Sequence, residues 1–268
     1  MRRPLRAPLV VVPVVLLALA GCTADPVAPT ASSTPMTTAS TDPSASAAPS
    51  GPGPVVVTAP AECDEVELAP GATVTGTALA ACVEGFSRAA GSGHEYLLSG
   101  DSSGEVDFVY GDASQMAGTM TSADGETSFV LTADDAWVTI DGAWVHGDPT
   151  SSDPEEMLAG TIGQAYRAAS DPSLGAALIA AAATWTVQTD QDVVTLQDGS
   201  EVHAWRLQAD APFAALGGAQ VQEMIVWLAP GHVVVGNQAT VDVGGVQTTT
   251  LQQYSDWGAP VTVTPPLD

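Results

Sequence analysis

Few side chains in this sequence are grouped in a way that would support catalysis. His94, His146, His203 and His232 are scattered, and no two are spaced as H-x-H or H-x-x-x-H. Imidazole pairs at metal-ligand spacing are therefore absent, and no histidine lies near a cysteine in sequence. Gly100-Asp101-Ser102-Ser103-Gly104 has the composition of a nucleophile loop. It lies between two strand-like stretches, where Gly, Asp and Ser simply make a turn. Asp134-Asp135 and Asp190-Gln191-Asp192 lack the glycine and terminal glutamate of a calcium loop. With 31 acids in the chain, chance carboxylate pairs carry no argument for glycoside hydrolysis. No glycine loop suited to phosphate is present. The expectation is a protein that is not an enzyme, with no cofactor and no metal.

The cysteines say more. Arg2, Arg3 and Arg6 open the chain, Leu9 to Ala20 forms an apolar core broken by Pro13, and Leu19-Ala20-Gly21-Cys22 follows. The core is too short to span a bilayer, which takes about 20 residues, and suits a signal peptide. The four closing residues resemble the bacterial lipobox. That resemblance implies cleavage before Cys22 and acylation of its sulfur, so residues 1–21 are read as a lipoprotein signal peptide. Two or three acyl chains, palmitate among them, would anchor the mature protein outside the cytoplasmic membrane. With Cys22 modified, Cys63 and Cys82 are the one possible intrachain pair, in a compartment where thiols oxidise. Two buried thiols are the alternative.

Charge narrows the partners. No lysine occurs, and residues 23–268 hold all 31 acids against Arg88, Arg167 and Arg206, a formal charge of −28. Such a surface repels phosphate backbones, so nucleic acid is excluded as a partner. Residues 22–60 comprise Cys22 and a tether of mostly Ala, Pro, Ser, Thr and Gly. That composition buries no core and spans roughly 35 Å as flexible coil.

Residues 61–268 read as one domain of α+β class, mostly β. Period-two alternation recurs: Tyr96 with Leu98, Val106 with Phe108 and Tyr110, Phe129 with Leu131, Val138 with Ile140, Trp185 with Val187, and on to Val261 with Val263. Asp124-Gly125, Asp141-Gly142, Asp198-Gly199 and Gly244-Gly245 are two-residue hairpin signals. They imply an antiparallel meander. Three helices interrupt it. Thr77 to Ala90 buries Leu79, Cys82, Val83 and Phe86 and stops at Gly91. A second opens at Asp153-Pro154, with Met157, Leu158 and Ile162 facing inward. A third runs from Asp171-Pro172 to Ala183.

The closing stretch Tyr254-Ser255-Asp256-Trp257-Gly258-Ala259-Pro260-Val261-Thr262-Val263-Thr264-Pro265 resembles the C-terminal signature of actinobacterial LppX/LprA/LprF/LprG-type lipoproteins. The lipobox, the tether, the first helix, the Asp141-Gly142-Ala143-Trp144 hairpin before Asp153-Pro154, and Leu196 to Ser200 before a long strand keep the same order. The resemblance implies a strongly curved antiparallel half-barrel, similar to the LolA and LolB carriers, with helices covering the concave face. It also implies an acylated lipid or glycolipid held between sheet and helices. By alternation, Phe108, Tyr110, Phe129, Leu131, Met224 and Val226 are candidates to line that cavity. The six tryptophans are core residues, or in part line the cavity or its mouth. A monomer is expected. The alternative is an envelope scaffold with a filled core that acts through its acidic surface.

Overall fold

The computed structural model describes residues 57–111 and 113–266. The expected signal peptide (residues 1–21), Cys22 and nearly all of the expected tether lie outside that range.

Thirteen strands form one antiparallel, curved, open sheet. In chain order these are β1 (Thr73–Thr75), β2 (Ser92–Ser99), β3 (Ser102–Val109), β4 (Gln115–Ser122), β5 (Gly125–Leu131), β6 (Ala136–Ile140), β7 (Ala143–His146), β8 (Thr184–Thr195), β9 (Glu201–Ala209), β10 (Phe213–Ala214), β11 (Gln220–Ala229), β12 (Val233–Val243) and β13 (Val246–Ser255). The order across the sheet is β1-β8-β9-β11-β12-β13-β2-β3-β4-β5-β6-β7, with β10 beside β11. One meander, β2 to β7, therefore grows outward to the β7 edge. Two helices, α2 (Pro154–Ala169) and α3 (Pro172–Ala181), carry the chain back to the other edge, where β8 begins. The second meander returns until β13 pairs with β2 at the centre. The crossing between edges puts the helices on one face, as a sheet with a single apolar face requires.

The four hairpin signals mark the turns β4–β5, β6–β7, β8–β9 and β12–β13. Asp141 and Gly142 both have positive φ (50° and 80°), as do Gly244 and Gly245 (63° and 90°). That is the backbone a two-residue turn needs to match strand twist.

Helix α1 spans Gly76–Ala90. Its cap is Thr75, two residues before the expected Thr77, and the Thr75 hydroxyl accepts from the Ala78 amide. It buries Leu79, Cys82 and Phe86 and ends at Gly91, which is left-handed. A Cβ on Gly76 would strike the carbonyls of Ala182 and Ile179, so α1 packs closely against α3. The alanine-rich α3 is thus filled against α1.

Helix α2 departs from expectation. Met157 and Leu158 are 46% and 49% exposed, and Ile162 is half-buried. The residues that α2 buries are Ala159, Gly160 and Gly163. The reason is clearance. A Cβ on Gly163 would strike Ala136 of β6, and one on Gly160 would strike the Asp148–Pro149 backbone. Only a face of small residues lets this helix lie so close to β6 and β7, and Met157 and Leu158 turn to solvent while Ile162 and Tyr166 pack part-buried on the core.

One core lies between the sheet and the helices, with Trp185, Phe86, Phe108, Leu79, Leu131 and Leu207 its largest fully buried members. A smaller cluster of Ala204, Ala229 and Val235 lies apart from it.

A disulfide joins Cys63 to Cys82, with Cα atoms 4.3 Å apart.

Candidate functional site: the inner face of the sheet

The sheet face toward the helices gathers all six cavity candidates. Phe108, Phe129, Leu131, Met224 and Val226 are at most 2% exposed, and Tyr110 is half-buried against the same core. Cross-strand register fixes the grouping: Phe108 on β3 faces Met116 on β4, and Met116 faces Leu131 on β5. Phe108 packs with Tyr110 (centroids 4.7 Å apart), Tyr254 (6.4 Å) and Trp257 (5.4 Å). Phe129 stacks on Tyr166 of α2 at 4.4 Å. Met224 and Val226 lie across the sheet on β11.

The helical cover of this face is in two parts. Helices α1 and α3 pack on each other, with α1 also against β12. Helix α2 packs on β5, β6 and β7. The C-terminal end of α2 is pinned by Arg167, whose guanidinium donates to the carbonyls of Thr132, Ala133 and Asp135 in the β5–β6 turn. Arg88, at the end of α1, bridges Glu84 and Asp171, the cap of α3. Outside the α2–α3 elbow lies an open cleft of about 550 Å³ lined by Gln164, Arg167, Ala168, Leu174 and Ala177 among others. A second cleft, of about 300 Å³, lies where the β8–β9 turn meets β2 and β13, beside His94, Tyr96 and Gln253. None of the six candidates lines either cleft.

Alternation placed Tyr96 and Leu98 as the apolar face of β2. The structure turns them outward, and Leu98 is 39% exposed. The inner face of β2 carries Gly93, Glu95 and Leu97. Gly93 fixes this phase: a Cβ there would come within 2.8 Å of the Phe108 ring and 3.1 Å of the Ser255 carbonyl. With period two, Glu95 must follow it inward. Glu95 faces Val106 on one side and Tyr254 on the other. Gln252 donates from Nε2 to Glu95 Oε1 at 2.6 Å. Asn237 on β12 is the cross-strand partner of Gln252. A polar row, Glu95–Gln252–Asn237, thus crosses this face, one same-face position along β13 from the Ser99–Thr250 hydroxyl pair.

Burial sets the charge of this row. It pushes the Glu95 carboxyl up to about 7, partly offset by the Gln252 hydrogen bond and by nearby His94. Burial, then the carboxylate of Glu95, pushes the phenol of Tyr110 up. The same two causes hold the Tyr254 phenol well above its ordinary value. Both phenols therefore stay neutral hydrogen-bonding groups. Sequence reasoning missed this row because Glu95 reads as the outward position of its strand. Among the described residues, no group of three His, Cys, Asp or Glu side chains is placed to hold a metal. Nor is any described helix long and apolar enough to cross a membrane.

No protein-family description matches the chain. No curated protein matches it in sequence. Among solved structures, the crystal structure of a LolA superfamily protein from Nitrosomonas europaea is similar over 68% of this chain and 92% of that one. The identity is 7% and the TM-score 0.26.

Proposed function

We propose that this protein is an extracytoplasmic lipoprotein that binds an acylated lipid or glycolipid between its sheet and its helices, and carries or shelters it. One observation carries the reading. The apolar inner face is covered on the β5–β7 side by a helix, α2, that buries only Ala159, Gly160 and Gly163. Apolar stabilisation scales with area, roughly 25 cal/mol per Å², so the stretch of α2 from Ala159 to Gly163, which buries only glycine and alanine, is held weakly, while Tyr166 nearer the C-terminal end stacks on Phe129. Acyl chains that displaced this stretch would lie over Leu131 and Ala136, which Gly163 now covers. The Arg167 bonds keep the far end of α2 attached while the near end lifts. The C-terminal Tyr254-to-Pro265 stretch, with its resemblance to LppX/LprG-type lipoproteins, supports the same reading.

Native mass spectrometry of the mature protein, released gently from membranes, tests it. A co-purifying mass that extracts as lipid is expected, along with uptake of a fluorescent fatty-acyl probe. Absence of both would sink the reading. The five candidates that are nearly fully buried favour a second one, an envelope interaction module whose interior never opens. That reading gains if the acyl probe is refused.

The anchor is part of the proposal. Cys22, outside the described residues, would carry the acyl groups on the extracytoplasmic face of the membrane, with residues 23–60 as the tether. Cys22→Ala removes the sulfur that acylation needs, so the protein is expected in the medium instead of the membrane fraction. Retention of signal-cleaved protein in that fraction would argue against the anchor.

A further inference from the structure

We infer that Glu95, Gln252 and Asn237 form a polar seat on the inner face that selects lipids with uncharged, hydroxyl-bearing headgroups and turns away phosphate-bearing ones. This rests on the lipid-binding reading above and names which lipids that site accepts.

The first argument is position. The three side chains come from adjacent strands, β2, β13 and β12, in direct register or through the Gln252–Glu95 bond. All three are half-buried, and none of their side-chain polar atoms is both sealed from solvent and without a partner. Each of their polar atoms is therefore either paired or open to solvent. Val226 continues the row on β11 and Val106 flanks Glu95 on β3. Apolar contact for chains and polar contact for a headgroup thus meet at one place.

The second argument is chemistry. A carboxyl, two carboxamides and two phenols can each accept from or donate to a hydroxyl, and the rings of Phe108, Tyr254 and Trp257 wall one end. The seat offers no cation of its own. Around Glu95, β3 presents Val106 and Tyr110, β13 presents Gln252 and Tyr254, and β12 presents Asn237. His94 is the neighbour on β2, but its ring is on the opposite face, bonded to Asp107. Arg88 on α1, whose charge acts on Tyr110, is already paired with Glu84 and with Asp171 at the start of α3. A phosphate brought here meets a carboxyl and no free positive charge, which costs binding when that carboxyl is ionised.

The sign with pH follows. Below about 7 the Glu95 carboxyl is mostly neutral, and above it mostly ionised. Rejection of phosphate should therefore strengthen as pH rises.

The test uses the whole mature chain and three fluorescent probes: diacylglycerol and phosphatidylglycerol with the same acyl chains, and a headgroup-free alkane of matching length. At pH 8.5 diacylglycerol should bind about tenfold more tightly than phosphatidylglycerol, the effect of one hydrogen-bonded polar contact. At pH 6 that preference should shrink to about twofold as the carboxyl is neutralised. Glu95→Gln should hold the preference constant between the two pH values. Gln252→Leu should weaken diacylglycerol about tenfold and leave the alkane unchanged, which also shows that the variant folds. Equal binding of the two headgroups at pH 8.5, or an unchanged pH response in Glu95→Gln, overturns the seat while the alkane still binds. Refusal of all three probes overturns the lipid reading itself, and the seat with it.

Discussion

Trp185→Ala is expected to cost about 3–5 kcal/mol of folding stability, the usual range for truncating a fully buried tryptophan. Trp185 has no exposed surface and is the largest of the fully buried side chains. It sits where three elements meet. On β8 it pairs with Val74 of the edge strand β1 and with Ala209 of β9. Its indole N–H donates to the Ile179 carbonyl in the last turn of α3, at 3.2 Å. Truncation would leave a cavity and remove one of the two donors to that carbonyl, which keeps the Ala182 amide. Trp185→Phe separates the two effects, because it keeps most of the volume and loses the donor; about 1–2 kcal/mol is expected. Trp144→Ala is the control, since Trp144 is 42% exposed on the edge strand β7, and a change within about 0.5 kcal/mol is expected. Urea unfolding of the three variants checks this. Equal costs for Trp185→Ala and Trp144→Ala would mean that the β1–β8 edge is not part of the cooperative unit.

The fold was legible in the sequence wherever local chemistry admits one answer. Asp153-Pro154 and Asp171-Pro172 start helices because the carboxylate caps the first amides and proline needs none. The Asp153 carboxylate accepts from Glu155 and the Asp171 carboxylate from Ser173. The four turn dipeptides mark hairpins because few other pairs tolerate their backbone angles. Legibility failed where a face is chosen by tertiary clearance. In α2 the apolar count favoured Met157 and Leu158, yet Gly163 must face β6 and Gly160 the Asp148–Pro149 segment, because nothing larger fits. In β2 the larger apolar side chains, Tyr96 and Leu98, pointed one way, while a single glycine against the Phe108 ring turned the strand the other way. The polar row was hidden for the same reason. A carboxylate reads as outward until the packing of its strand neighbour is known. The six lining candidates, chosen by alternation, do share the inner face, because on β3, β5 and β11 the large residues and the clearance agree.

Reducing the Cys63–Cys82 bond is expected to lower stability by about 3 kcal/mol, the loop-closure value for a ring of some twenty residues. What that ring contains decides where the loss appears. It holds Pro70-Gly71, the three residues of β1 and the first turns of α1. Strand β1 is a sheet edge with one neighbour, β8, and three paired residues, too few to hold alone. Cys82, fully buried beside Leu79 and Phe86, fixes one end of the ring in the core. The other end has further support: Pro60 and Glu62 lie against Gly85 of α1, and the His232 ring hydrogen-bonds the Val66 carbonyl at 2.7 Å. The segment before β1 should therefore stay docked after reduction, while β1 frays from β8. Hydrogen exchange reads this directly. Amide protection should fall first at Thr73–Thr75 and across the register at Thr184–Thr186, with β11–β13 unchanged. Urea midpoints of the oxidised and reduced protein give the size of the effect. Rapid alkylation of Cys63 and Cys82 without reductant would contradict the bond. A stability loss with uniform exchange would show that the ring constrains the unfolded chain alone and leaves the β1 edge intact.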